Sequence, residues 1–261
     1  MKLQGKVAVV TGAASGMGRA LCRQLGGAGV RLGLIDRNAD GLATLANECE
    51  TIGVRCARAT ADVRDREAVR SALAGFAEQL GPVDLLVACA GITGATFVDD
   101  LAIEETEAIL QINLLGVVYA IDTVLPSMLE RGRGQIVALA SLAGCRGMPF
   151  SAGYSASKAA LATYLESLRP ALRKRGIAVT TILPGFVRTP LMESAPVQPG
   201  IPMIEPDAAA RHIIKAIRRR SRVYAFPLST SLVVSILRWL PASVFDWCMA
   251  RGATRIPNVT Y

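Results

Sequence analysis

Short apolar and β-branched runs at 7–10, 31–35, 54–59, 83–88, 135–139 and 177–183 alternate with longer amphipathic stretches at about 17–29, 38–52, 65–80, 104–131 and 153–175. Several of the short runs are too continuously apolar for edge strands, so they predict strands buried on both faces. A helix between two such strands is the usual crossover of a parallel pair. The alternation therefore predicts an α/β chain with one parallel sheet covered on both faces. Length and composition agree: 261 residues, 51% hydrophobic and 19% charged, can bury one large core. Gly176 after Arg173-Lys174-Arg175 marks a helix end of the expected kind, with basic residues in the last turn.

The first crossover carries the first chemical signal. Thr11-Gly12-Ala13-Ala14-Ser15-Gly16-Met17-Gly18 follows the strand at 7–10 and opens the next helix. Glycines there let the backbone turn tightly and approach a pyrophosphate, whose charge meets the helix N-terminal amides. The pattern alone also fits a plain strand–helix turn. The next strand, however, ends at Asp36, where a carboxylate can accept hydrogen bonds from the adenosine ribose. Together they predict a dinucleotide site in a doubly wound, Rossmann-like single domain of about seven strands. Asp36 would repel a 2′-phosphate and favours NAD; Arg37 directly after it could pair with that phosphate, which leaves NADP open.

Tyr154-Ser155-Ala156-Ser157-Lys158 lies where a helix begins. Four residues is about one turn, so phenol and ammonium share a face, with Cβ atoms roughly 5–6 Å apart. The same spacing occurs on many solvated helices and means little by itself. Beside a dinucleotide site it acquires a use, because removing a hydride from an alcohol also requires a base for the hydroxyl proton. A neighbouring ammonium would lower the phenol pKa from its usual value of about 10.

Glycines at 12–18 followed by Asp62-Val63, Ala90-Gly91, Asn113, Ser141, Tyr154, Lys158 and Pro184-Gly185-Phe186-Val187-Arg188-Thr189 resemble the short-chain dehydrogenase/reductase family over about residues 5–190. The resemblance implies hydride transfer between a nicotinamide dinucleotide and a secondary alcohol or ketone. Tyr154 would be the general acid/base, Lys158 its activator and a holder of the nicotinamide ribose, and Ser141 a hydrogen-bond partner of the substrate oxygen. Asn113 would hold a water linking Lys158 to solvent. Gly12, Ser15, Gly16, Met17, Gly18, Asp36, Arg37, Asp62, Val63, Ala90, Gly91, Pro184, Gly185, Val187 and Thr189 would contact the cofactor, together with Tyr154 and Lys158. Asp62 and Val63 would border the adenine, and Thr189 would hold the carboxamide. One departure is plain: Ala88-Cys89 stands where the family has asparagine before Ala-Gly, so an amide that pins the neighbouring backbone is missing. Long helices at 104–131 and 153–175 would pair subunits in a homodimer or homotetramer.

The expected substrate contacts, Ser141, Met148, Tyr154, Phe186 and Met192, are mostly apolar, with Phe97, Phe150, Leu191 and Met203 nearby and Arg146 and Arg188 as the nearest charges. They predict a small hydrophobic alcohol or ketone: aliphatic, alicyclic, steroid- or lipid-like. The alternative is a 3-oxoacyl-type reductase using NADPH. Five prolines between Thr189 and Pro206 suit a substrate lid over 185–205.

Past this point the charge changes. From Arg211 onward nine basic residues face one acid, which accounts for the whole net charge of +8. Val223–Leu237 is uncharged but, at fifteen residues interrupted by Pro227, falls short of the ~20 that span a bilayer. We expect domain 1–222 and a tail 223–261 that packs on the same domain or on a partner subunit. A peripheral membrane contact through 211–250 is the other possibility. A dinucleotide-sensing protein with a nucleic-acid-binding tail is disfavoured, since 211–222 has no aromatic suited to base stacking. Six cysteines without a Cys-x-x-Cys pair and no signal-peptide core fit a reducing cytoplasm. A single histidine, His212, excludes a His-rich metal site and reads as a helix-surface residue.

Overall fold

The computed structural model describes residues 1–194 and 202–253. Seven parallel strands form one sheet: β1 (Val7–Thr11), β2 (Arg31–Asp36), β3 (Cys56–Thr60), β4 (Leu85–Ala88), β5 (Gly134–Leu139), β6 (Ile177–Pro184) and β7 (Val223–Phe226), in the order 3-2-1-4-5-6-7. The order reverses between β1 and β4, and the crevice at their C-terminal ends is where this topology binds ligands. Strands β1, β4 and β5 are buried throughout, with Thr11 and Gln135 the polar residues among their apolar ones.

Two helical layers enclose the sheet. On one face α1 (Gly16–Gly27), α2 (Ala39–Thr51) and α7 (Pro206–Arg219) bury Leu21, Leu25, Leu42, Leu45, Ile213 and Ile217. On the other, α3 (Arg66–Leu80), α5 (Gly116–Glu130) and α6 (Ala152–Lys174) bury Leu73, Phe76, Ile121, Val124, Leu161 and Leu165. The expected 104–131 helix is two helices, α4 (Ile103–Leu110) and α5, joined through a wide π turn at Gln111–Leu115. Residues 103–130 are long and apolar enough to cross a membrane. Ile109, Ile112, Val117, Ile121 and Val124 of that stretch are buried within this chain, so we read it as a core helix.

The C-terminal part departs from expectation. The sheet runs past residue 222, because Val223–Phe226 pairs with β6 as the seventh strand; the rest of the uncharged run forms α8 (Leu228–Trp239), and α9 (Ala242–Ala253) follows. His212 does not lie free on a surface: its ring stacks on Phe226 at 4.9 Å, and Nδ1 is 3.4 Å from the Tyr224 hydroxyl.

The basic and apolar side chains of 211–250 are parted only in part, since Arg238 is exposed on α8 beside Ile236 and Trp239. Arg218 to Arg220 end α7 at the N-terminal edge of the sheet, where Arg220 reaches the Gly134 carbonyl at the start of β5. The apolar side chains Leu228, Leu232, Ile236 and Trp239 are exposed on α8, which starts beyond the opposite end of β7, roughly 13 Å away along a four-residue strand. Arg255 lies outside the described residues.

Candidate active site

A cleft opens at the C-terminal ends of β1 and β4, lined by Gly12, Ser15, Gly16, Met17, Gly18, Asp36, Arg37, Asp62, Val63, Ala90, Gly91 and Thr189, with Ala61, Cys89, Ile92, Ile112, Pro190 and Leu191 between them. Glycine is required at its floor. Gly12 has φ +69°, and a Cβ there would stand 2.8 Å from the Ala90 backbone; one on Gly18 would stand 2.0 Å from the Gly12 carbonyl oxygen. Helix α1 opens on this floor with no acid in its first turn, and its N-cap Ser15 makes no side-chain cap bond. Those first amides and the positive end of the helix face the cleft, as an anionic pyrophosphate requires.

Asp36 is fixed at the far side. Its Oδ2 accepts the Ala14 N–H at 3.0 Å and its Oδ1 accepts the Asn38 N–H at 3.0 Å. Asp62 is less free than the sequence suggests, since Arg64 donates Nη2 and Nε to its Oδ2 at 2.7 and 3.0 Å. That guanidinium holds the Asp62 carboxyl below its ordinary pKa.

The turn after β4 resolves the missing asparagine. Oγ1 of Thr11 accepts N–H bonds from both Cys89 and Ala90 at 3.2 Å, so a β1 side chain pins this backbone. Burial pushes the Cys89 thiol up to about 12, which leaves it protonated and inert.

The π turn carries Asn113 into the interior, where it is fully buried. Its Oδ1 accepts the Ile92 N–H at 2.9 Å, and Nδ2 donates to the Ile92 carbonyl and to the Ser157 hydroxyl, each at 3.0 Å. Ser157 in turn donates to the Tyr154 carbonyl at 2.7 Å. Both amide hydrogens are thereby spoken for. The side chain ties the Gly91–Ile92 turn to the first turn of α6.

Lys158 is buried on the same helix and donates Nζ to the Leu139 carbonyl at 2.8 Å. Burial lowers its pKa to about 8. Nζ lies 5.7 Å from the centroid of the Tyr154 ring, and a Cβ on Gly91 would come within 3.4 Å of it, which places the ammonium beside the cleft. The Ser141 hydroxyl neighbours the Tyr154 phenol and acts to lower its pKa. The expected depression of that phenol by Lys158 is not seen in the protein by itself: burial raises the Tyr154 pKa, and the neighbouring Ser141 hydroxyl acts downward.

Family membership is settled at this point by comparison. The short chain dehydrogenase family matches residues 6–199. The chain belongs to it. An oxidoreductase of Myxococcus xanthus is 36% identical over 92% of this chain and 95% of its own length. A ketoacyl reductase of Nostoc sp. is 32% identical over 98% of this chain and 96% of its own. Among solved structures, a short-chain dehydrogenase/reductase from Burkholderia phymatum in complex with NAD superposes with a TM-score of 0.84 at 25% identity, covering 90% of this chain and 93% of that one. The protein is an NAD(P)-dependent oxidoreductase of this family.

Other expected contacts fall elsewhere. Pro184 ends β6 and Gly185 and Val187 follow it, all outside the cleft lining, with Val187 packed in the core and bridged to Ile204. Met148, Phe186 and Met192 are partly buried and do not line the described cleft; Met148 N–H donates to Ser155 Oγ at 3.2 Å. Neither expected charge is free: Arg188 pairs with Glu205 at 2.9 Å, and Arg146 binds the C-terminal helices. Of the expected lid over 185–205, residues 195–201 lie outside the described residues. Ser157 and Thr11 were missed. Ser157 could have been found as the residue one turn after Tyr154, and Thr11 as the hydroxyl that ends β1.

Proposed function

We propose that this protein interconverts a hydrophobic secondary alcohol and its ketone, with Tyr154 as general acid/base. The observation that carries this reading is the convergence of three groups beside the cleft: the Lys158 ammonium 5.7 Å from the centre of the Tyr154 ring, and the Ser141 hydroxyl neighbouring the Tyr154 phenol. When bound, a nicotinamide dinucleotide takes up or supplies the hydride. Tyr154 accepts the hydroxyl proton during oxidation and returns it during reduction. Ser141 Oγ accepts the Ala143 N–H at 3.1 Å, which fixes the oxygen, and its one hydrogen turns from the phenol to the substrate oxygen when substrate is present. Lys158 opposes a buried phenolate with a buried positive charge, and Asn113 holds the turn against which both groups stand.

Asp36 favours NAD, because its carboxylate is anchored by two backbone amides and cannot swing away from a 2′-phosphate. Arg37 lines the same cleft, and it is the observation in favour of the second reading, a 3-oxoacyl-type reductase using NADPH. The partner expected besides substrate is a copy of this chain, in a homodimer or homotetramer. Leu101, Ile103 and Leu115, exposed on or beside α4 and the π turn, support it, and sedimentation would test it.

The experiment is a panel of NAD and NADP against aliphatic and alicyclic alcohols and ketones, read as nicotinamide absorbance, for wild type and Tyr154→Phe. The reading expects turnover by wild type only, with NAD preferred. Near-wild-type turnover by Tyr154→Phe overturns the role of Tyr154. A preference for NADPH with 3-oxoacyl substrates selects the second reading.

A further inference from the structure

The segment that carries Ser141 also carries Arg146, and Arg146 is fully engaged. Its Nη1 donates to the carbonyls of Leu237 at 2.9 Å and Leu240 at 2.6 Å, with the Arg238 carbonyl at 3.4 Å. Leu237 and Arg238 end α8 and Leu240 is its C-cap; among the described residues the Leu237 carbonyl otherwise takes only the Leu240 N–H at 3.3 Å, and a cation at that end also meets the negative pole of the helix. The guanidinium carbon lies 4.0 Å from the centroid of the Phe245 ring in α9. One arginine thus grips both C-terminal helices.

The other end of α8 is fastened to the same site. The Gly185 N–H donates to the Phe226 carbonyl at 2.7 Å, just before α8 begins. A Cβ on Gly185 would stand 3.3 Å from Pro227 Cδ and 3.4 Å from both Leu142 Cδ1 and Thr230 Cγ2. Leu142 is the neighbour of Ser141. The first turn of α8 therefore rests on the segments that flank the reacting groups, and its last turn is held by Arg146. Among the described residues, Ser231 and Phe245 are the buried side chains of α8 and α9.

The active-site segment itself packs closely on α6. A Cβ on Gly144 would stand 2.7 Å from the Lys158 backbone, and Met148 N–H is bonded to Ser155. Movement at Arg146 would thus displace α8 and α9 and leave Ser141, Tyr154 and Lys158 in place.

We propose that α8 and α9 form the outer wall of the substrate site and that Arg146 is the positioning residue that latches this wall. The ligand it encloses is an apolar group of a secondary alcohol that extends beyond the reacting carbon; a short alcohol reaches Ser141 and Tyr154 without touching the wall. This rests on the hydride-transfer reading above.

The test compares butan-2-ol and decan-2-ol as substrates for wild type, Arg146→Ala and Arg146→Lys, with NAD affinity and hydrogen exchange measured alongside. For Arg146→Ala the expected result is a KM for decan-2-ol raised about tenfold, a KM for butan-2-ol within about twofold, and kcat within about threefold. NAD affinity is unchanged, and exchange over 228–250 is faster while α1 and α6 keep their protection. Arg146→Lys, which keeps a donor for the carbonyls and loses the planar stack on Phe245, falls between the two. An unchanged ratio of the two KM values overturns the wall, as does a uniform fall in kcat for both alcohols; unchanged exchange overturns the latch. Should wild type turn over neither alcohol, the hydride-transfer reading fails. The wall is then judged by whether decan-2-ol with NAD protects 228–250 in wild type and not in Arg146→Ala; equal protection overturns it.

Discussion

The two ends of the cleft are built by different means. The dinucleotide end is made of backbone against backbone: Gly12 against Ala90, Gly18 against Gly12, and Asp36 held by two main-chain amides. The catalytic end is made of buried polar side chains tied to one another and to carbonyls: Asn113 to Ser157, Ser157 to Tyr154, Lys158 to Leu139. Backbone contacts specify shape and tolerate no added atom. Side-chain ties specify direction and charge, and each carries a desolvation cost that catalysis has to justify. Substitutions at the two ends should therefore fail differently, binding at one and turnover at the other.

The largest expected effect is at the catalytic end. Tyr154→Phe removes the proton-carrying oxygen and keeps the ring, so turnover should fall by about 10³-fold or more while dinucleotide affinity changes little. A matching loss of affinity would show that the two ends are not separable. Gly18→Ala probes the other end. A methyl 2.0 Å from the Gly12 carbonyl oxygen has to push the turn open, and dinucleotide affinity should fall by about 100-fold, close to 3 kcal/mol. Isothermal titration checks it, and binding within a few-fold of wild type would mean that the turn does not need its observed closeness.

Lys158 sharpens the contrast through stability. Its folded-state pKa is about 8, below the ordinary 10.5, because burial disfavours the charged amine. The unfolded chain then binds the extra proton. The penalty is full below about pH 8 and is relieved as pH rises from about 8 to 10.5. Lys158→Met should therefore unfold at higher denaturant than wild type at pH 7, by up to about 3 kcal/mol, and the gap should shrink toward pH 10. Activity should be lost in the same variant. A Lys158→Met protein less stable than wild type at pH 7 would show that the bond to the Leu139 carbonyl outweighs the burial cost.

How much of this was legible in the sequence follows from the same division. Gly12, Gly16 and Gly18 announce the dinucleotide end because only glycine meets the steric demand, and the strands at 7–11, 134–139 and 177–184 announce themselves as apolar runs. Tyr154 and Lys158 are visible by helical spacing. The ties of the Asn113 amide are not: no local pattern shows that it joins two backbones, and the π turn that carries it has no signature in Gln111-Ile112-Asn113-Leu114-Leu115. The tail misled for a related reason. Val223–Leu237 has one composition and two structures, a strand and a helix, and the break at Pro227 between them reads equally well as a kink in a single segment. The bond between Arg146 and α8 spans more than ninety residues, and nothing local to Arg146 points to it.

The smallest effect is expected where the two ends meet. Thr11 ends β1 on the dinucleotide side, yet its hydroxyl holds the turn after β4 that leads through Gly91 to Asn113 and Lys158. Thr11→Val keeps the shape and removes the acceptor of two main-chain N–H groups, which should cost about 1–3 kcal/mol of stability. The bonds are long, at 3.2 Å each, so the lower part of that range is expected. If the ends are independent, only dinucleotide affinity should weaken with it, by a few-fold. If the turn transmits strain to Asn113, kcat should fall as well, and by more than KM for the alcohol rises. Denaturant unfolding and steady-state kinetics on this one variant measure how far a backbone-built pocket and a side-chain-built one behave as a single site.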